Sequence, residues 1–315
     1  MDSSRAAPRS RPPWRRPWLY TALASVAVVG GTAAGTVYVK AQAHSGGGAV
    51  SSAATPSASP SAPASEEESV EPVAQPTVDH DAQLADAVEL VSAEDTAEVS
   101  VAVLDLGSGE SATYGDGVFD TASIVKVDIL ATLLLRHQDA GTRLTAQEKT
   151  YATAMIENSD NVSATALWRI IGRAQGLDAA NERFGLADTE GGDGDLWGLT
   201  QTTAVDQLTL LQEVFGDDSE LSEDSRSYLR GLMRQIAVGQ QWGVSAAADG
   251  SAWALKNGWL PRSTTGLWVI NSVGRVTVDG DDYLVAVLSK GNSTQVKGIS
   301  LVEAVARAAV SVFTR

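Results

Sequence analysis

The sequence predicts an α+β domain: an antiparallel sheet with its terminal helices on one face and a helical insertion between its strands. Three observations carry that expectation. The elements run helix, two strands, a long helical stretch, three strands, helix. The helical stretch, Ser123 to Val238, opens on Asp120 to Leu135, a run apolar almost all the way round, as a helix enclosed by other elements must be. The last third returns to β-branched, apolar runs, two of them joined through Asp279-Gly280-Asp281.

Residues 1–17 carry Arg5, Arg9, Arg11, Arg15 and Arg16, a basic tail that predicts a cytoplasmic N-terminus. Residues 18–39 are uncharged and would rise about 33 Å as a helix, enough to cross a bilayer core. They read as a transmembrane anchor or an uncleaved signal. Ala41-Gln42-Ala43 and Arg15-Arg16 also allow a cleaved signal, and both readings place the rest of the chain outside the cytoplasm. Residues 40–78, rich in Ser, Ala, Pro and Gly, have no apolar period and read as a disordered linker. Residues 79–315 are then one globular domain, expected to be a monomeric ectodomain. Within it, Leu84, Val88 and Val91 share one helix face. Val99 to Leu106 reads as a strand, Gly107-Ser108-Gly109 as a turn, and a second strand passes through Ser111 and Tyr114. Leu267 to Val273 and Tyr283 to Ser289 read as strands, and a last helix runs from about Val296 to Val312.

Composition excludes several chemistries. No cysteine is present, which removes disulfides, thiol nucleophiles and cysteine metal sites together. The net charge of -16 argues against a nucleic-acid partner. Of the three histidines, His44 and His80 fall in the linker or at the domain edge, and His137 sits near a helix end as a capping residue would. A Ser-His-Asp triad therefore has no histidine to use.

The enclosed helix holds a lysine where a helix disfavours cations. Lys126 lies in its first turn, at the positive end of the helix dipole, three residues after Ser123 and on the same face. That end and burial both depress a lysine pKa, which is what a lysine must undergo to act as base to a serine nucleophile. Two further pieces follow in order. Ser159-Asp160-Asn161 precedes another helical run, and Lys256-Asn257-Gly258-Trp259 sits in a strand-like segment.

In these residues the sequence resembles the serine β-lactamases and penicillin-binding proteins, closest to the class A β-lactamases, over residues 79–315. The resemblance implies a five-stranded antiparallel sheet flanked by helices, with an all-helical subdomain and the active site between them. It implies Ser123 as the acylated nucleophile, Lys126 as its base or relay, and Ser159 as proton donor to the leaving nitrogen. Asn161 would position a substrate amide, and Lys256 would supply positive potential to Ser159 and a substrate carboxylate. Asn257 would stand in the substrate site for the usual threonine or serine. Gly258 would leave room for substrate, and the Trp259 N–H would complete an oxyanion hole with that of Ser123. Neither cofactor nor metal is implied.

Three features depart from the pattern. No E-x-x-L-N sequence, the class A source of the deacylating glutamate, occurs between Leu186 and Thr200. That segment offers Asp188, Glu190, Asp193 and Asp195 among glycines that suggest a mobile loop. Asn257 replaces a hydroxyl, and the stretch between Ser123 and Ser159 is short. The expected function is a class A-like serine hydrolase that forms an acyl-enzyme on Ser123 with a β-lactam or related amide and deacylates slowly. The alternatives are a D,D-peptidase acting on peptidoglycan stem peptides and a non-catalytic cell-wall-binding or sensory ectodomain.

Overall fold

The computed structural model describes residues 78–314. The expected tail (1–17), anchor (18–39) and nearly all of the linker (40–78) lie outside them. Among the described residues no helix is long and apolar enough to cross a membrane.

The chain runs α1 (His80–Glu89), β1 (Glu98–Asp105), β2 (Ser111–Tyr114), β3 (Phe119–Asp120), α2 (Val125–Asp139), α3 (Ala146–Glu157), α4 (Asn161–Ile171), α5 (Arg173–Phe184), β4 (Gln201–Thr202), α6 (Ala204–Phe215), α7 (Glu223–Met233), β5 (Trp253–Pro261), β6 (Trp268–Val278), β7 (Asp281–Asn292) and α8 (Gln295–Ser311). Five strands form one antiparallel sheet in the order β2-β1-β7-β6-β5, and β3 pairs with β4 in a separate ribbon. This is the α+β architecture the sequence predicts.

Successive side chains of a strand face opposite ways. On β6, Ile270 packs against Gly298 of α8, while Asn271 donates to the carbonyls of Asp120 and Thr121. The terminal helices α1 and α8, in contact with each other, therefore cover one face, and the segment leading to Ser123 lies on the other. Strands β6 and β7 run further than their apolar cores suggest. The polar register continues through Asp282, which accepts from Arg275 and Thr277 across the ladder. A two-residue loop closes the hairpin with Asp279 at φ +55° and Gly280 at φ +95°, the left-handed pair that matches strand twist.

In the helical insertion, α2 is central and contacts α3, α4, α5 and α7. Every residue from Val125 to Leu135 is buried, which accounts for its apolar circumference. The α-helix proper starts at Val125 and not at Ser123, because a 3₁₀ turn, Ala122–Ile124, precedes it. A capping box between Thr145 and Glu148 starts α3, and the Asp160 carboxylate caps α4 through the Ser163 N–H.

One buried carboxyl stands out in this core. Asp128 accepts from Asn181 (3.1 Å) and Thr132 (3.4 Å), and among the described residues it makes no ion pair. Burial pushes its pKa up to about 7, against the opposing pull of those two hydrogen bonds; Asp178 and Asp206 push the same way as burial. A carboxyl pKa raised on folding gives stability that is full below the unfolded value and is lost as pH rises through about 7. Asp128→Asn should therefore leave Tm little changed near pH 4. By pH 8 it should exceed the parent by roughly 5 °C or more, read from thermal melts across the range.

Candidate active site

The Ser123 turn is held in place before any chemistry is considered. Ala122 adopts φ +49°, a left-handed conformation that costs an alanine about 1 kcal/mol or more and needs surrounding bonds to persist. Those bonds are present. The Thr121 N–H donates to Thr200 O (2.8 Å), extending the β3–β4 ribbon, and Asn271 Nδ2 reaches Asp120 O (2.9 Å) and Thr121 O (3.0 Å). Arg262 pairs with Asp120 at 2.8 Å. Ser123 thus emerges half-buried on a short turn whose first N–H groups have no intrahelical partner.

Strand β5 comes up against this turn. A Cβ at Gly258 would lie 2.8 Å from both Ser123 N and Thr121 O, so only glycine allows the approach. The space expected for substrate at Gly258 is filled by the chain's own backbone. Because β5 is an edge strand, alternate N–H groups point away from the sheet. Trp259, next after Gly258, is where one such N–H belongs in the expected oxyanion hole.

Ser159 is the meeting point of the two lysines. Its backbone is also left-handed (φ +56°), at the junction of α3 and α4. Lys126 Nζ donates to Ser159 O (2.6 Å), Ser159 Oγ (3.0 Å) and Asn161 Oδ1 (2.8 Å). Lys256 Nζ lies 3.1 Å from the same Oγ and 2.8 Å from Asn257 O. Both lysines are 0% exposed. Burial brings Lys126 down to about 7, with Asp160 pulling the other way. Burial and then the Lys126 charge push Lys256 well below the usual lysine range. The site therefore carries less positive charge near neutral pH than two lysines suggest. Among the described residues Ser123 Oγ makes no hydrogen bond to Lys126, whose contacts run instead to Ser159 and Asn161.

Asn257 differs from the sequence expectation. Alternation along β5 turns it to the opposite face from Lys256. There it is fully buried and gives both amide hydrogens to backbone carbonyls, of Gln240 (2.7 Å) and Trp242 (2.9 Å). It latches the 240–242 segment to the strand and has no N–H left for a substrate. The rings of Trp242 and Trp259 lie 6.0 Å apart between centroids, tilted by 57°.

The 186–200 loop is pinned. Asp195 is clamped by Arg169 and Arg173, and this pairing lowers its pKa to about 2. Trp168 Nε1 donates to Gly194 O (2.8 Å), the Gly191 N–H to Asp178 (2.8 Å), and Glu190 exchanges backbone bonds with Gln201. The side chains of Asp188, Glu190 and Asp193 are exposed. Where the loop meets the lysine it presents Trp197, whose ring lies 4.9 Å from Lys126 Nζ and whose Nε1 donates to Thr165 (3.1 Å). Sequence reasoning, directed at carboxylates, passed over Trp197. It also passed over Asn271, which no local pattern marks.

The architecture is that of the serine β-lactamases and penicillin-binding proteins. Solved structures with this fold include a mutant of PBP-A as an acyl-enzyme complex with penicillin G (TM-score 0.64, 23% identity, 74% of this chain and 96% of that one). Others are the TLA-1 extended-spectrum β-lactamase (0.67, 15%, 75% and 100%) and a class A β-lactamase from Bacteroides cellulosilyticus (0.65, 14%, 75% and 99%). A family model described as the beta-lactamase enzyme family matches residues 134–313, more than half of the chain, and the chain belongs to that family. The match begins after Ser123 and Lys126. LppW, named as a lipoprotein, of Mycobacterium tuberculosis and Mycobacterium bovis is 25% identical over 171 residues, 52% of this chain and 54% of that protein. The chain thus spans about half the length of the curated relatives it matches.

The contact between Gly258 and the Ser123 turn gives a direct test. Gly258→Ala must push β5 away from rigid backbone, so it should cost about 1–3 kcal/mol in urea-melt stability. The adjacent β5 variant Leu260→Ala should not alter the exchange protection of the Thr121 amide, whereas Gly258→Ala should lower it.

Proposed function

We propose that this protein is a serine hydrolase that forms an acyl-enzyme on Ser123 with a β-lactam or a related amide, and that the adduct is long-lived. The observation supporting it most strongly is the convergence of Lys126 and Lys256 on Ser159 Oγ beside the Ser123 turn. In this reading Lys126, neutral in a substantial fraction near pH 7, takes the Ser123 proton directly or through Ser159. Ser159 passes a proton to the leaving nitrogen, and Lys256 holds Ser159 in place. Asn161 positions both Lys126 and a substrate amide. The N–H groups of Ser123 and Trp259 receive the oxyanion.

Slow deacylation is supported by what surrounds Lys126. The loop presents an indole there. Of its carboxylates, Asp195 is tied to two arginines and is far too acidic to act as base near neutral pH. The same feature favours a second reading, a D,D-peptidase on peptidoglycan stem peptides, in which an amine rather than water resolves the adduct. For location we propose an extracytoplasmic domain tethered through residues 18–39 and the 40–78 linker, acting without a nucleic-acid partner. The lipoprotein name of LppW supports a membrane-associated, extracytoplasmic setting. With no cysteine among the 315 residues to carry a thioether lipid, the apolar segment is the attachment proposed.

Incubation with a fluorescent penicillin should label Ser123, with Ser123→Ala unlabelled but folded. The parent adduct should persist by intact mass long after free probe is removed. Labelling that survives in Ser123→Ala would end this assignment, and rapid turnover without a trapped adduct would end the slow-release part.

The acylation rate should rise with pH through about 7 as Lys126 loses its proton. Lys126→Ala should lower it by roughly 10²–10⁴-fold and remove that limb of the profile. An unchanged profile in the variant would mark Lys126 as structural.

A further inference from the structure

Strand β2 stops short of its neighbour. Its last residue, Tyr114, pairs with Val101, whereas β1 starts at Glu98. Glu98, Val99 and Ser100 therefore pair with β7 on one side and, among the described residues, with no strand on the other. Gly115, at φ +74°, turns the chain away there; a Cβ on it would lie 2.6 Å from Ser100 Oγ and 2.9 Å from Val99 O. The Gly117 N–H then donates to Ser100 Oγ (3.3 Å) and fixes the turn. The gap left beside β1 is a cavity of about 410 Å³, walled by the end of α1, the turn after β2, and α8. That is the size of a small-molecule site.

The cavity has an apolar floor and an acidic mouth. In the floor, Val88, Phe119, Leu301 and Val305 are buried, and Val91 and Tyr114 half-buried. Glu89, Glu98 and Asp116 line the mouth and are exposed, and among the described residues no lysine, arginine or histidine lines it. Lys290 is close but committed: it pairs with Glu98 (3.0 Å), donates to Val118 O (3.2 Å) and lies 4.9 Å from the Phe119 ring centroid. Glu89 and Asp116 make no ion pair among the described residues. An anion at this mouth would meet two unpaired carboxylates, and a neutral apolar molecule would leave them unused. A molecule with an apolar body and one cationic end matches both zones.

We propose that this cavity binds an amphiphilic amine, its apolar body on Val91, Phe119 and Leu301 and its ammonium at the mouth beside Glu89 and Asp116. None of these residues belongs to the candidate active site, so the proposal stands apart from the acyl-enzyme reading.

The probe is 4-phenylbutylamine, compared with 4-phenylbutanol and 4-phenylbutyrate on the full-length protein in detergent near neutral pH. Hydrogen exchange read by mass spectrometry follows the 114–119 segment as each compound is titrated. The amine should protect that segment at a roughly three- to tenfold lower concentration than the alcohol, and the butyrate should not protect it. Val91→Trp, which fills the cavity, should remove protection by amine and alcohol alike. Glu89→Gln combined with Asp116→Asn, both at exposed positions, should raise the amine's half-saturating concentration to that of the alcohol, and this pair carries the test even where Val91→Trp does not fold. Butyrate that protects as well as the amine, or an amine effect unchanged in the double variant, would overturn the choice of ligand. Protection that survives in folded Val91→Trp, or none in the parent at millimolar amine, would overturn the site.

Discussion

Two amines share one hydroxyl in this protein, and neither nitrogen reaches solvent. Lys126 comes from α2, Lys256 from β5, and Ser159 from the α3–α4 junction, so the contact ties the helical insertion to the edge of the sheet. A hydroxyl can accept from two amines or give its proton to one that is neutral. Two buried ammonium groups so close would repel strongly at the low dielectric of the interior. The charge state of the pair is therefore coupled to how tightly the two parts of the domain hold together. The strained backbones at Ala122 and Ser159 belong to the same arrangement. The first is fixed by Thr200 and Asn271, and the second by Lys126 itself.

Much of this was legible in the sequence because it is encoded locally. The element order follows from apolar periods and turn residues, and the buried α2 from its apolar circumference. Ser123 and Lys126 are marked by residue type and spacing, and Ser159, Asn161 and Lys256 stand in short motifs that the resemblance to the serine β-lactamases singles out. What could not be read depends on side-chain direction and on distant partners. Asn257 looks like a donor to substrate until strand alternation turns it to Gln240 and Trp242. Gly258 looks like open space until the Ser123 turn fills it. Glycines at 191, 192 and 194 suggest a mobile loop, but Arg169 and Arg173, both earlier in the chain, hold it through Asp195. Asn271, which holds the Ser123 turn through Asp120 O and Thr121 O, lies about 150 residues from them in sequence and belongs to no motif.

Trp197 and burial act on Lys126 in opposite senses. A ring face near an ammonium favours the charged form by about 0.5–2 kcal/mol, whereas removal from water favours the neutral one. Three acceptors around Nζ also satisfy an ammonium fully, and a neutral amine must give up one of those bonds to turn a lone pair toward Ser123. The amine is thus held near the balance point, with its pKa brought down to about 7, and can exchange a proton at modest cost. Acylation, in the reading proposed here, needs only that balance, since the proton taken from Ser123 leaves again on the departing nitrogen. Hydrolysis needs more: a second base, aligned on the ester with a water. The indole at the lysine, the clamped Asp195 and the remaining exposed loop carboxylates supply no such alignment. Under the proposed acyl-enzyme reading, this arrangement suits capture of an acyl group better than its discharge to water, and an acceptor amine brought by the substrate would meet the lysine pair in place of that second base.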